Sequence, residues 1–331
     1  MKAIVIDRFG GPEVVRVAEM PLPPVAPGRL QIAVEMAALN PADWKCREGW
    51  LQRYHQPTFP YVLGFDFVGA VSAVGDGCEG FKVGDRVVGK TEVARGGAGS
   101  IAQFTSTLPH LVAHLPDSVS SAAAAATPTA GITAWEALFD VGQFKKGQTV
   151  LVNGGAGGCG SFAVQLARMA GGRVDATSGA DNVAYVGALG ADHVVDYRAG
   201  DVAAAVLNLC PGGVDLVLDT VGQGVLPRSV DMTRDGGRVV TIGTLVPDEP
   251  QPDAAKAAAR GITVATAMST REREGQQLKD LVAALANGRI GAPDIALLPA
   301  ARTGDGLERL KRGHVRGKIV VSVNGSADWR I

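Results

Sequence analysis

The stretch QTVLVNGGAGGCGSFAVQLARMAGG, residues 148–172, decides the fold of the second half of the chain. It begins as an apolar run of strand-forming residues, turns through NGGAGGCG (153–160) and continues with helical character. Glycines in such a turn let a pyrophosphate approach the backbone N–H groups closely, and the helix start adds the positive end of its dipole. This context predicts a dinucleotide-binding strand–turn–helix unit, and the alternative is a glycine-rich turn that holds no ligand.

The same rhythm continues on the carboxyl side of this unit. Five apolar strand runs alternate with four helical segments between Gly147 and Gly243, and GITVATAM (261–268) predicts one further strand. Continuous apolar strands separated by helices are typical of a parallel sheet covered on both faces. We therefore predict a doubly wound, Rossmann-type sheet over residues 127–268.

The flanking regions have a different pattern. Residues 1–115 contain many short strand runs separated by Gly/Pro turns, which is typical of a partly open barrel or a sandwich. Residues 120–141 are expected to be helical, with an interruption at Pro128, and the tail beyond residue 268 returns to mixed helix and strand. The predicted fold class is α/β, in which a β-rich domain of residues 1–126 and 269–331 accompanies the Rossmann domain.

The composition excludes several classes of partner. Of the 331 residues, 46% are hydrophobic and 20% are charged, and the formal net charge is −1. This balance favours neither nucleic acid nor an anionic membrane as a partner. The sequence has no long apolar run that could span a membrane and no secretory signal, so we expect a cytoplasmic protein. The four cysteines form no CxxC pair, which argues against a disulfide framework or a cysteine-rich zinc site.

The end of the second Rossmann strand bears on the choice of dinucleotide. An acidic side chain there would bind the ribose 2′-hydroxyl of NAD. The strand RVDAT instead ends in Thr177 and Ser178, while Asp175 is expected to lie in mid-strand. Ser178, together with Tyr197 after the third strand, could hold a 2′-phosphate. NADP is therefore favoured, although residues 179–187 contain no Lys or Arg and NAD stays open.

Several stretches together resemble the medium-chain dehydrogenase/reductase superfamily over nearly the whole chain. They are FGGPEVVRV (9–17), ALNPADWK (38–45), LGFDFVGAVSAVG (63–75), FKVGDRVVG (81–89), TPTAGITAWEAL (127–138), NGGAGGCG (153–160), LGADHVVDYR (189–198), LDTVG (218–222) and GRVVTIG (237–243). NPADWK and GFD resemble its zinc-independent quinone oxidoreductase and enone reductase branch. The resemblance implies a GroES-like, partly open β-barrel catalytic domain, an active site in a cleft beside the Rossmann domain, NADPH as the cofactor, and a homodimer.

The resemblance also implies that catalytic zinc is missing. Alcohol dehydrogenases of the superfamily bind zinc through a Cys and a His, and the corresponding positions here are Asn40 and Phe65. Neither side chain is a zinc ligand of that kind. Residues 90–100, where a structural-zinc lobe would lie, contain no cysteine. Without a Lewis acid the acceptor must already be electrophilic, as quinones and α,β-unsaturated carbonyls are.

Four side chains are predicted to act near the substrate. The resemblance puts Asn40 and Asp43 beside the nicotinamide, with Asn40 offering a hydrogen bond to the substrate oxygen. The same two residues also make a good helix start, and both interpretations stay open. Tyr54 and Tyr61 flank a proline-containing loop and could donate a proton, stack on a quinone ring, or only anchor the loop. Asp66, a carboxylate within an apolar stretch, is expected to pair with a basic or backbone group.

The candidate cofactor-binding residues lie mainly at the carboxyl ends of the predicted Rossmann strands, where ligands bind in such sheets. Thr133 and Lys318 are added by the resemblance alone. The full set is Thr133, Gly154, Gly155, Ala156, Gly157, Gly158, Cys159, Gly160, Thr177, Ser178, Asn182, Tyr197, Val221, Ile242, Gly243, Thr244 and Lys318, with no metal ligand.

The sequence thus predicts an NADPH-dependent, zinc-independent oxidoreductase that transfers a hydride to a quinone or another activated carbonyl acceptor. A reductase of alkenal, alkenone or enoyl double bonds is the alternative within the same class of enzyme. The sequence also leaves open an NADPH-binding protein without turnover and a zinc alcohol dehydrogenase.

Overall fold

The computed structural model describes residues 1–52, 54–222, 224–268 and 271–329. These residues form two compact units, one from the described parts of 1–130, 270–288 and 292–331, the other from 131–268 and 289–291. The assignment of residues 1–126 and 269–331 to a catalytic domain, and of 127–268 to a cofactor-binding domain, stays a prediction.

The elements are numbered in chain order. The strands are β1 Lys2–Ile6, β2 Val15–Glu19, β3 Leu30–Leu39, β4 Tyr61–Val62, β5 Asp66–Val74, β6 Arg86–Lys90, β7 Phe104–Thr107, β8 Val112–His114, β9 Thr149–Asn153, β10 Arg173–Ser178, β11 His193–Asp196, β12 Val214–Asp219, β13 Thr233–Ile242, β14 Thr263–Ala267, β15 Ile295–Pro299 and β16 Lys318–Ser322. The α-helices are α1 Pro41–Arg47, α2 Ser121–Ala125, α3 Pro128–Trp135, α4 Gly158–Met169, α5 Val183–Ala188, α6 Val202–Leu209, α7 Ser229–Met232, α8 Ala254–Ala259, α9 Arg271–Ala286 and α10 Thr303–Arg312.

The second unit is built on a six-stranded parallel sheet. Its strand order is β11-β10-β9-β12-β13-β14, and every neighbouring pair is parallel. The central strands β9 and β12 are buried along nearly their whole length, as their continuous apolar sequences require. The predicted doubly wound sheet is confirmed, and its carboxyl edge carries the glycine turn after β9.

The first unit is rich in antiparallel strands. It contains a seven-stranded sheet, in which β15-β16-β3-β5-β6-β8 are neighbours and β7 also pairs with β3, and a three-stranded sheet of order β2-β1-β4. Two registers matter for the site, because β16 pairs Ile319 with Leu39 and β5 pairs Asp66 with Ala38. Both pairings lie next to the end of β3, so residues 40, 66 and 318 converge there.

Candidate active site and cofactor cradle

The turn after β9 folds tightly against the start of α4. Gly154 has a φ of 79°, a conformation that favours glycine, and its N–H donates to Thr177 Oγ1 at 3.1 Å. A Cβ on Gly160 would lie 2.1 Å from the Gly154 carbonyl oxygen, so no larger residue fits there. A Cβ on Gly157 would meet nothing closer than 3.5 Å. The turn is therefore tightly packed at Gly160 and has free space beside Gly157. A pyrophosphate at the start of this twelve-residue helix requires such space next to the backbone N–H groups.

A basic side chain that the sequence did not point to lies at the next strand end. Ser178 pairs with Asp196 across β10 and β11, which brings the two residues after β11 next to Gly179. The Arg198 guanidinium carbon and the Tyr197 hydroxyl each lie 3.6 Å from the position of a Cβ on Gly179. Arg198 also packs over the Tyr197 ring at 5.3 Å. A guanidinium and a hydroxyl at this edge suit the 2′-phosphate of NADP.

The carboxylate that could have favoured NAD is used elsewhere. Asp175 lies in the middle of β10, is fully buried, and contacts Nδ1 of His193 at 3.0 Å and the guanidinium of Arg173 at 3.4 Å. Its mid-strand position is as predicted from the sequence, and its oxygens are engaged by Arg173 and His193.

The remaining cofactor candidates of the second unit vary in exposure. Thr177 and Ser178 are buried at the end of β10, Asn182 and Thr133 are half-buried, and Val221 is 46% exposed. At the end of β13, Ile242 and Gly243 lead to Thr244, whose hydroxyl donates to Glu249 at 2.7 Å. Ala156, Gly158 and Cys159 complete the glycine turn and the start of α4. Their roles toward a cofactor stay predictions.

Lys318 belongs to a buried polar cluster of the first unit. Its ammonium donates to the Leu39 carbonyl at 2.9 Å and to Asn40 Oδ1 at 2.5 Å, and it lies 3.9 Å from Asp66 Oδ2. The Asn40 amide donates in turn to Asp66 Oδ2 at 2.9 Å. Thr129 donates to Asp66 Oδ1 through its hydroxyl at 2.5 Å and its backbone N–H at 3.1 Å. This is the basic and backbone pairing expected for Asp66, and we call Asn40, Asp66, Thr129 and Lys318 the Lys318 cluster.

Asp43 adds a second carboxyl group beside the Lys318 cluster. It is fully buried in the first turn of α1, where its Oδ2 accepts from the Asn40 N–H at 2.7 Å. Burial raises the pKa of Asp43 to about 7, and the negative charge of Asp66 adds to this effect. Asp43 therefore caps the helix that follows Asn40, which confirms the helix-start interpretation, while its place beside the nicotinamide stays a prediction.

The two tyrosines differ in their surroundings. Tyr61 is buried and its hydroxyl donates to the Val93 carbonyl, while burial raises the pKa of the phenol strongly. Tyr54 is 49% exposed. A phenol that is bound to a carbonyl and hard to ionise is a poor proton donor, so Tyr61 suits a structural role better than Tyr54 does.

Metal-binding groups and membrane-spanning helices are both missing from the described residues. Within residues 1–52, 54–222, 224–268 and 271–329, no group of three or more His, Cys, Asp or Glu side chains is arranged to hold a metal ion. In the same part of the chain, no helix has the length and apolar character needed to cross a membrane.

Known proteins match both units. The family described as alcohol dehydrogenase GroES-like domain matches residues 26–117, and the zinc-binding dehydrogenase family matches residues 158–286. The NADPH-dependent alkenal/one oxidoreductase of Arabidopsis thaliana is 31% identical over 97% of this chain and 79% of that protein. The quinone oxidoreductase of Escherichia coli, solved as its NADPH complex, has 26% identity and a TM-score of 0.87, covering 97% of this chain and all of that one (100%).

The chain belongs to the medium-chain dehydrogenase/reductase superfamily, and its relatives include quinone oxidoreductases and alkenal/one oxidoreductases. The GroES-like and Rossmann classes predicted from the sequence are thereby confirmed. Some relatives are matched over less of their length: the chain is 36% identical to the chloroplast envelope quinone oxidoreductase homolog of Arabidopsis thaliana, but the match covers 62% of this chain and 63% of that protein.

Proposed function

We propose that the protein is an NADPH-dependent, zinc-independent reductase of quinones or α,β-unsaturated carbonyl compounds. The observation that carries the proposal is the Lys318 cluster. At the position where related alcohol dehydrogenases have a zinc ligand, Asn40 accepts a hydrogen bond from a buried ammonium and donates one to Asp66. The Lys318 ammonium therefore already binds the oxygens of Leu39 and Asn40 at the position of the zinc ligand. This arrangement supports hydride transfer without a catalytic metal.

The second unit supplies the groups that would hold the cofactor. The N–H groups at the start of α4 would bind the pyrophosphate, and Arg198 with Tyr197 would bind the 2′-phosphate. When bound, NADPH supplies a hydride from its nicotinamide ring. The protein's task is then to place the acceptor and to exclude competing reactions.

The acceptor chemistry follows from where the new negative charge can go. Two electrons and one proton arrive as a hydride, which gives a hydroquinone anion or an enolate, and one further proton completes the product. Because Tyr61 is engaged with Val93 and its phenol has a raised pKa, we propose that this proton comes from solvent or from the exposed Tyr54. Quinones and enones delocalise the new negative charge themselves, so moderate hydrogen bonding suffices.

A homodimer also belongs to this proposal. Strand β14 closes one side of the six-stranded sheet and pairs with β13, and Val264 on it is 38% exposed. An edge strand with an exposed apolar side chain is a natural surface for pairing with a second copy. Location in the cytoplasm stays a prediction from the sequence.

The test of the function is a panel of acceptors. NADPH oxidation is followed with a quinone, an alkenal, an alkenone and a saturated ketone, and each is repeated with NADH. We expect turnover with one or more of the first three, a preference for NADPH, and none with the saturated ketone. NADPH binding without turnover on the whole panel would favour a non-catalytic binding protein, and rapid ketone reduction would overturn the zinc-free chemistry.

A further inference from the structure

A polar cavity lies in the second unit at the amino ends of the parallel strands. It has a volume of about 120 Å³ and is bounded by the residues that precede β9, by the start of β12 and by the start of β13. The glycine turn follows the carboxyl end of β9, so one strand of five residues, about 17 Å long, separates the two places. We call it the amino-edge cavity, and its polar side chains are Gln143, Lys145, Gln148, Asp215, Arg234 and Arg238.

An irregularity in the sheet forms one wall of the cavity. Val214 pairs with Thr233, but the next pairing joins Leu216 to Arg238. Only Asp215 intervenes on β12, whereas residues 234–237 intervene on β13, so this segment bulges outward. Arg234 at the start of the bulge and Arg238 just after it therefore both line the same cavity.

The charges of the cavity are unbalanced. Lys145, Arg234 and Arg238 contribute three positive charges, and Asp215 contributes one negative charge, so the formal sum is +2. Both oxygens of Asp215 are already engaged, one by Arg234 Nε at 2.7 Å and the other by the Thr149 N–H at 2.8 Å. The carboxylate thus fixes Arg234 in place and offers little to a bound cation.

The remaining polar groups point to hydrogen-bond donation. The Gln143 amide oxygen accepts from Arg238 Nη2 at 2.8 Å, and the Gln148 amide oxygen accepts from the Lys145 N–H at 2.8 Å. Each glutamine keeps an NH₂ group, which can only donate. The cavity therefore combines two guanidinium groups, one ammonium and two amide donors, and the side-chain oxygens of Gln143, Gln148 and Asp215 each already accept a hydrogen bond.

We infer that the amino-edge cavity binds a phosphate group, either as inorganic phosphate or as the phosphate of a small monoester. A dianion balances the formal charge of +2, and its oxygens accept hydrogen bonds only from the kinds of group present. Arginine recognises phosphate in a bidentate manner, and two arginines held by Asp215 and Gln143 lose little freedom when they bind it. This site does not depend on the proposed oxidoreductase activity.

The test is calorimetric titration of inorganic phosphate into the full-length protein, with saturating NADPH and with chloride holding the ionic strength constant. We expect one binding site per chain. Arg238→Gln and Lys145→Gln should each weaken it by about tenfold or more, as the loss of a charge-assisted hydrogen bond predicts. Lys146→Gln is the matched control, because Lys146 is the adjacent exposed lysine, is not among the cavity residues, and lies against Gly171.

The inference would be overturned if no saturable binding is seen, if Arg238→Gln and Lys145→Gln bind phosphate as tightly as wild type, or if Lys146→Gln loses as much affinity as they do. The titration is repeated without NADPH, and binding that is seen only in its absence would assign the phosphate to the cofactor edge and contradict the inference as well. Lys145 is exposed, so its variant keeps the test valid if Arg238→Gln unfolds. A parallel titration with glycerol 3-phosphate separates the two ligand sources, because tighter binding than that of inorganic phosphate identifies a monoester.

Discussion

Replacement of Lys318 by methionine tests whether the buried ammonium balances the charge of Asp66. Methionine keeps most of the apolar stem and removes the charge and its donors. Loss of one member of a buried ion pair costs about 3–5 kcal/mol. The ammonium lies 3.9 Å from Asp66 Oδ2, and Asp66 keeps its bonds from Asn40 and Thr129. We therefore expect the lower end of that range, about 3 kcal/mol of unfolding free energy.

The assay is urea unfolding followed by tryptophan fluorescence. Trp44, Trp50 and Trp329 all lie in the first unit, so the signal reports mainly on the part of the protein that holds Lys318. Lys82→Met is the matched control. Its side chain is 86% exposed and lies 4.0 Å from Asp85, and such surface pairs contribute about 0–1 kcal/mol.

A double variant separates charge balance from packing. If Lys318 acts through Asp66, adding Asp66→Asn to Lys318→Met should cost less than the two single changes added together, by about 1 kcal/mol or more. A loss in Lys318→Met no larger than that in Lys82→Met would refute the reasoning. Strict additivity in the double variant would also refute it, because the cost would then come from lost packing.

Three further predictions concern separate parts of the molecule. The pKa of Asp43 is raised to about 7 by burial, so the folded state holds this proton between about pH 4 and 7, where the unfolded chain has lost it. Wild type should therefore lose stability relative to Asp43→Asn as the pH rises through this window, and a difference independent of pH in urea unfolding would contradict the buried carboxyl. Arg198→Gln should raise the KM for NADPH by about tenfold and leave that for NADH unchanged, with Arg168→Gln as a surface control; equal effects on both cofactors would rule out a 2′-phosphate contact. Gly160→Ala should abolish NADPH binding in a fluorescence titration, because its Cβ would clash with the backbone, whereas Gly187→Ala, which meets nothing within 4 Å, should bind normally.

The parallel sheet was predictable because its signals are local. The strands from β9 to β14 contain short apolar runs, each followed by its own turn or helix. The glycine turn at 153–160 marks the first strand–turn–helix repeat of this series. No long-range information is needed to recognise such a repeat.

Arg198 was not predicted, although its neighbour Tyr197 was placed at the 2′-phosphate from the sequence. A basic partner of the 2′-phosphate was sought only in residues 179–187, which follow β10 and contain none, whereas Arg198 approaches Gly179 from the end of the neighbouring strand. The parallel pairing of Ser178 with Asp196 brings Arg198 close to Gly179, and this register is a property of the folded sheet. An arginine just after the third Rossmann strand is the sequence signal that could have indicated it.

Lys318 illustrates the same limit in the first unit. The sequence suggested a role toward the cofactor by resemblance alone, and the structure adds contacts that no local pattern contains. Antiparallel pairing of Ile319 with Leu39 puts Lys318 next to Asn40, although they are 278 residues apart in the chain. The buried partner of Asp66 is therefore a consequence of strand order.

The most direct test of the zinc-free hydride transfer is turnover of a metal-depleted enzyme. The protein is dialysed against a strong chelator, its zinc content is measured, and kcat/KM with NADPH is compared before and after treatment for a quinone, an enone and a saturated ketone. We predict that reduction of the quinone or the enone is unchanged after zinc is removed and that the ketone is not reduced at all. Loss of activity on chelation, with recovery when zinc is returned, would contradict the account.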